Sequence, residues 1–374
     1  MHIRAFALER FFAAHEFSAK HILGASDIEG MSLAELLPLA DAECARLWSE
    51  LRLGYTESMG LPLLRAEIAS LHDGLAADDI LTFAGAEEGI FLTMHASLRA
   101  GDHAVVIWPA YQSLHEVARS IGADVSHVPL DPTNWALDVD RVAAAFRRNT
   151  KLLVINFPHS PTGAHIGRSQ LDAVVRLCAD RGVRLFSDEV YRLLEHEASA
   201  VLPPAATLDP RAVSLGVMSK AFGLAGLRVG WIATRDAALR ARVAALKDYT
   251  TICNSAPSEI LALIGLRARD RVVGRARAIV SANLPRLADF MRRHADHLAW
   301  TPPRAGSVCF PRFRGDVDAE RAAEFLIAET GVVIVPGARF QFDESYFRIG
   351  YGRTDMPDAL ALIDPLIAKL ATLR

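Results

Sequence analysis

Cysteine is scarce and scattered in this chain. Cys44, Cys178, Cys253 and Cys309 stand far apart with no Cys-x-x-Cys pair. That excludes a disulfide framework and a zinc ribbon, and the four read as reduced thiols of a cytoplasmic protein. The 13 histidines form no zinc-type cluster, so no metal site is expected. His294 and His297 fall in an arginine-rich helical pattern that suits a solvated face. No apolar stretch is long enough to span a bilayer, and Glu9-Arg10 breaks the apolar pattern of the N-terminus, which makes a poor signal peptide. Basic residues form no stripe. The 41 Lys and Arg are mixed with 44 Asp and Glu for a net charge of −3, which argues against nucleic acid as a partner. Internal repeats, low-complexity segments and flexible linkers are missing too.

What is present is apolar mass in an alternating pattern. The 374 residues are 51% hydrophobic, more than one compact domain usually needs. Residues 5–17 have helical spacing, and Leu23 to Gly30 is a loop in which Ser26 and Asp27 suit a turn. Helices are expected over 41–52, from Pro62 onward, and over 87–99, 138–147, 168–181 and 236–247. Strands are expected at 80–83, 103–107, 151–156, 182–187 and 212–218. A long helical tract covers 257–297, with Pro285 placed to kink or divide it. Strand-like stretches at 305–311, 331–337 and 347–352 follow.

Three places in this pattern carry chemistry. The apolar run from Ala212 to Met218 is followed by Ser219-Lys220. Desolvating an ammonium is costly, and a buried lysine that sheds its proton can form a Schiff base. Arg228 lies eight residues on, across a turn of small residues, where it suits a phosphate. Ala84-Gly85-Ala86 joins a strand to a helix. Free backbone N–H groups and the helix dipole, worth ~0.3–1 kcal/mol and up to ~2 when partly buried, make such a turn a phosphate cradle. Asp188 ends the strand at 182–187, with Tyr191 three residues on.

In order and spacing these segments resemble the class I/II aminotransferases, fold-type I enzymes that use pyridoxal 5'-phosphate. The resemblance runs over about residues 20–374. It rests on Tyr55, Gly85-Ala86, Tyr111, the loop Asn156 to Gly163, Asp188 with Tyr191, Ser219-Lys220 with Arg228, and Arg348. It implies an α/β fold with a large, doubly wound, mostly parallel seven-stranded sheet domain over 41–265. A smaller α/β domain would combine 1–40 with 266–374. In that family the residue at Lys220 holds the cofactor as a Schiff base and moves the substrate Cα proton. The residue at Asp188 pairs with the pyridine nitrogen and keeps it protonated, which makes the ring an electron sink. Tyr191 would bond the ring oxygen, and Tyr111 or Trp108 would stack on the ring face. Gly85, Ala86, Ser219 and Arg228 would hold the phosphate, with Tyr55 reaching it from a neighbouring subunit of a homodimer. Arg348 would fork onto the substrate carboxylate. The reaction implied is transfer of an amino group between an L-amino acid and a 2-oxo acid.

Two positions depart from the family pattern. Ser160 stands where the family has the asparagine that bonds the cofactor phenolate and the substrate carboxylate, and a hydroxyl reaches less far than an amide. Val217 stands where a Ser or Thr often binds phosphate. A second resemblance, to the capreomycidine synthase group, rests on the N-terminal loop, Ala110 to Leu114, Asn156 to His159, Asp248-Tyr249 and Phe310 to Phe313. That group uses the same lysine chemistry to cyclise a hydroxylated arginine. On that reading acids such as Asp27 or Glu29 meet the guanidinium. Arg353 reads as a surface residue and Glu189 as structural.

Overall fold

The computed structural model describes residues 3–373. Seven strands make the central sheet: β1 (Ile80–Phe83), β2 (His103–Trp108), β3 (Asp124–Pro129), β4 (Thr150–Asn156), β5 (Arg184–Asp188), β6 (Val213–Val217) and β7 (Gly230–Ala233). Their order across the sheet is β1-β7-β6-β5-β4-β2-β3. β3, β2, β4, β5 and β6 pair in parallel, while β7 runs antiparallel to both β6 and β1. This is the mostly parallel α/β sheet the sequence pattern implied.

The strands read as unbroken apolar runs because helices cover both faces. Every residue of β1, β2, β6 and β7 is buried. Alternate residues feed different cores, as a period of two requires. In β4, Leu152 and Val154 pack with Leu114 and Val117 of the helix Ser113–Ile121 and Val243 of the helix Ala237–Lys247. Leu153 and Ile155 pack on the other side with Leu171 and Val174 of the helix Arg168–Arg181. A third core joins Trp231 to the helices Pro62–Ala69, Ala256–Arg267 and Arg269–Arg293. Beyond it, Val335–Pro336, Phe347–Gly350 and Val308–Cys309 form a three-stranded sheet.

The structure corrects several sequence expectations. β3 and the helix Ser113–Ile121 were not anticipated: β3 is a half-exposed edge strand carrying Asp124, Ser126 and His127. The long helical tract divides at Ala268, not at Pro285, which sits inside the helix Arg269–Arg293. An interior proline costs ~3 kcal/mol. The buried stripe Val272, Ala276, Val280, Leu287 and Phe290 outweighs it. The strands expected over 305–311 and 331–337 shrink to Val308–Cys309 and Val335–Pro336. Among the described residues no helix is long and apolar enough to cross a membrane, and no group of three or more His, Cys, Asp or Glu is placed to hold a metal ion.

Parallel strands deliver their carboxyl ends to one edge of a sheet, where ligands bind. Here Asn156 lies opposite Asp188, and Gly230 pairs with both Phe83 and Val217. The turn after β1, the ends of β4 and β5 and the segment after β6 therefore meet.

Candidate active site

A cavity of about 500 Å3 opens at that edge. Lys220 enters it from the turn after β6. The turn is closed by the Gly223 N–H donating to the Lys220 carbonyl (3.0 Å) and the Leu224 N–H to the Met218 carbonyl (2.9 Å). The Lys220 Nζ donates to Ser26 Oγ at 2.8 Å and lies 5.6 Å from the centroid of the Tyr191 ring. The Tyr191 hydroxyl donates to the Ser26 carbonyl at 2.9 Å, and Ser307 Oγ donates to the same oxygen at 3.0 Å. Ser26, which the sequence marks only as a turn former, thus ties the N-terminal loop over the lysine.

Asp188 is 4% exposed at the end of β5. Burial pushes its carboxyl up to about 7, and Glu189 adds to this; the Val190 N–H, which donates to Oδ1 at 3.2 Å, and the Lys220 ammonium pull the other way. A cation placed against this carboxyl would restore its charge. Asn156 braces the neighbouring strand end. Its Nδ2 donates to the Asp188 carbonyl (3.0 Å), and its Oδ1 accepts from the Ser160 N–H (2.8 Å). Ser160 lines the cavity through this support.

The turn after β1 and the guanidinium of Arg228 are packed together. Gly85 has φ +94°, and a Cβ there would lie 2.5 Å from Arg228 Nη2. A Cβ on Gly230 would lie 2.6 Å from the Gly85 carbonyl carbon, so both glycines are needed for the turn to close over β7. Gly85 is the N-cap of the helix Ala86–Ser97, and no side chain caps it. The first N–H groups of that helix are left for an anion. Ala86, Ser219 and Arg228 line the cavity, and so does the apolar Val217, which has no donor to offer.

Arg348 stands at another wall, 1% exposed. Its Nε donates to the Gly24 carbonyl at 3.0 Å, and its guanidinium carbon lies 5.1 Å from the Phe340 ring and 5.7 Å from Phe12. Its Nη2 is buried without a partner. A buried unpaired donor on a cation calls for an anion. Tyr111 faces the cavity too, and its hydroxyl donates to Glu9 Oε1 at 2.7 Å. Burial, then Glu87 and Glu9, hold its phenol well above the ordinary range. Trp108, the alternative stacking residue, instead lies flat on His127, with centroids 4.0 Å apart.

Other candidates are placed differently from the expectation. Asp27 lines the cavity, but both its oxygens accept from Arg353 Nη2 at 3.1 Å. Arg353 is therefore no idle surface residue. Glu29 turns out of the cavity: it accepts from the Thr354 N–H (2.7 Å) and faces Arg275 at 3.7 Å. Glu189 is structural, taking the Ala205 N–H and the Ser214 hydroxyl at 2.8 Å each. Tyr55 is 91% exposed and outside its own chain's cavity. Sequence reasoning missed Glu9, Phe12 and Glu16 of the N-terminal segment, and Glu87, all of which line the cavity. The spacing of Leu8, Glu9, Phe12 and Glu16 on one helical face was the available signal.

The residues present fit a phosphorylated aldehyde cofactor: an amine, a buried carboxyl, an uncapped helix start with a guanidinium beside it, and an orphaned arginine donor. The chain matches the aminotransferase class I and II family over residues 22–362. It belongs to that family, and its cofactor is accordingly pyridoxal 5'-phosphate. Among curated relatives, capreomycidine synthase of Streptomyces vinaceus is 32% identical over 311 residues, 82% of this chain and 79% of that protein. Among solved structures, a pyridoxal-phosphate-dependent aminotransferase from Streptococcus suis superposes with a TM-score of 0.92 at 26% identity, covering 99% of both chains. The pyridoxal-phosphate-dependent cyclase OrfR superposes with a TM-score of 0.90 at 28% identity, covering 99% of this chain and 98% of its own.

Proposed function

We propose that this chain is an aminotransferase that moves an amino group between an L-amino acid and a 2-oxo acid, with Lys220 as the cofactor's covalent anchor and as proton carrier. The observation that carries the reading is that the Lys220 amine, the Asp188 carboxyl and Arg348, with its unpartnered Nη2, line one cavity. When bound, pyridoxal phosphate supplies an aldehyde that condenses with an amine and a ring that withdraws electrons from the substrate Cα. Arg348 holds the substrate carboxylate. Asp188 would hold the ring nitrogen protonated, Tyr191 and Ser160 would bond the ring oxygen, and Tyr111 would cover the ring. Arg228, Ser219, Gly85 and Ala86 would hold the phosphate, with Tyr55 reaching the neighbouring subunit's site in a cytoplasmic homodimer. Lys220 Nζ would take the proton from the substrate Cα as base and give it back as acid.

A second reading has its own support. Glu9, Glu16 and Asp27 put three carboxylates on the cavity wall. Asp27 is already paired with Arg353, but burial, then Asp27, raises the pKa of Glu16, so a cationic side chain there would relieve Glu16. That wall suits a guanidinium, and capreomycidine synthase and OrfR are among the similar proteins. On this reading the net reaction is cyclisation of a hydroxylated basic amino acid.

One experiment separates the two. The holoenzyme is incubated with single amino acids, including arginine and a hydroxyarginine, and with pyruvate or 2-oxoglutarate as acceptor, and products are followed by mass spectrometry. A 2-oxo acid formed in step with loss of the donor, and absent with Lys220→Ala, supports the aminotransferase. A cyclic product from hydroxyarginine without any 2-oxo acid replaces it with the second reading. Absence of both products across the panel would refute the two together.

A further inference from the structure

The proposed chemistry leaves one carboxyl of the phosphate cradle unused. Glu87 is the second residue of the helix Ala86–Ser97 and lines the cavity with Ala86 and Arg228. Its Oε2 is shut off from solvent and has no hydrogen-bond partner. Its neighbour Glu88 is fully engaged: it accepts from the Ala84 N–H (2.7 Å) and from the hydroxyls of Thr250 and Thr251. The two acids thus sit in the same helical turn with different surroundings: Glu88 has three donors, while Glu87 has the Ser113 hydroxyl near it and no partner on Oε2.

An ionised Glu87 would be a poor neighbour for a phosphate. A buried carboxylate without donors is costly, and it would repel the dianion that Arg228 and the first-turn N–H groups are arranged to take. A neutral carboxyl reverses both effects, because it carries an O–H to donate. We propose that Glu87 is a phosphate-binding residue that works as the neutral acid, its carboxyl O–H donating to a phosphate oxygen of the cofactor. The inference rests on the cofactor's phosphate lying at this helix start, as in the function proposed above.

The groups that face Glu87 agree with this. Glu9 comes from the N-terminal helix Ala7–His15, Asp188 from the end of β5, Ser113 from the helix after β2, and Arg228 from the turn after β6. Burial is the largest influence and raises its pKa; Glu9 and Asp188 act in the same direction, and Ser113 and Arg228 oppose them. The net result is a carboxyl pushed up to about 7. A carboxyl with that pKa is mostly protonated at pH 6 and mostly ionised at pH 9 in the cofactor-free protein.

The test is an equilibrium titration of apoprotein with pyridoxal 5'-phosphate, read by cofactor absorbance and protein fluorescence between pH 6 and pH 9. Wild type is compared with Glu87→Gln, whose amide has the same shape, stays neutral and still donates. Wild-type affinity should fall relative to Glu87→Gln by up to tenfold per unit above pH 7, approaching ~100-fold at pH 9, as a group with that pKa requires. Pyridoxal, which lacks the phosphate, should bind the two proteins with the same ratio at every pH. Glu87→Ala should bind pyridoxal 5'-phosphate more weakly than Glu87→Gln already at pH 6. A ratio for pyridoxal 5'-phosphate that stays constant with pH would overturn the assignment of Glu87 while leaving the cofactor site intact. The same pH trend with pyridoxal would also overturn it, since the proton would then belong to another part of the site. Failure of all three proteins to bind either compound at any pH would overturn the cofactor site itself and this inference with it.

Discussion

Replacing Asp188 with Asn should set folding and catalysis against each other. In the free protein the carboxyl is 4% exposed. Burial raises it from 3.8 to about 7, with the Val190 N–H and Lys220 pulling it down. An acid whose pKa is higher in the folded chain than in the unfolded one binds its proton more tightly when folded. Stability therefore declines as pH rises from about 4 toward 7, and the full loss is present above 7. A rise of about three units, at 1.36 kcal/mol per unit, is about 4 kcal/mol. Asn avoids the charge and still offers an oxygen to the Val190 N–H. Apo Asp188→Asn is expected to exceed wild type in stability by up to about 4 kcal/mol at pH 8, with the gap narrowing below about 2 kcal/mol at pH 5. Urea unfolding of both apoproteins at the two pH values measures it. Turnover by the holoenzyme should fall at the same time, because on the proposed function the ring nitrogen would lose its anion. An equal gap at pH 5 and pH 8, or no gain at pH 8, would refute the view that Asp188 is a strained acid waiting for a cation.

Other substitutions probe the remaining walls. Lys220→Ala should abolish borohydride-fixed attachment of the cofactor, seen by intact mass, while leaving the circular dichroism of the fold unchanged. Arg348→Lys removes the planar fork; a hydrogen bond to a charged group is worth ~1.5–3 kcal/mol, so kcat/KM for the amino acid should drop roughly 10- to 150-fold with cofactor affinity unaltered. Ser160→Ala deletes at most one neutral hydrogen bond of ~0.5–1.5 kcal/mol, and steady-state kinetics should show a loss no greater than about tenfold. Gly85→Ala forces a side chain onto φ +94° and against Arg228 Nη2. Backbone strain of about 1–3 kcal/mol should appear in thermal unfolding, together with weaker binding of pyridoxal 5'-phosphate but not of pyridoxal.

Much of this architecture is legible in the chain because buried parallel strands are unbroken apolar runs with the chemistry set just past their ends. β6 leads to Lys220, β5 ends at Asp188, and β1 runs into Ala84-Gly85-Ala86. What was not legible depends on partners far away in sequence. Asp27 looks available until Arg353, 326 residues on, is seen on both of its oxygens. Asn156 shows its bracing role only once β4 and β5 lie side by side. β3 escaped notice because an edge strand needs no apolar run. Glu87 and Glu88 are alike as letters; the Ala84 N–H and the threonines at 250 and 251 tell them apart.

The N-terminal helix Ala7–His15 makes a wall of the cavity without belonging to the sheet that carries the chemistry. Leu8 and Phe11 anchor it in a hydrophobic core, and its polar ties are the Ala7 N–H to Gln112 Oε1 (2.9 Å), Gln112 Nε2 to the Ala5 carbonyl (2.9 Å) and Tyr111 to Glu9, with Arg339 over Phe11. On the proposed function this short segment would help to decide which side chain is welcomed, while Lys220, Asp188 and Arg348 are held on the turn after β6, the end of β5 and the strand Phe347–Gly350. Glu9 and Phe12 of that helix touch the reaction machinery, through Tyr111 and Arg348, so a change of its face that spares those two is a route to altered selectivity on the proposed function.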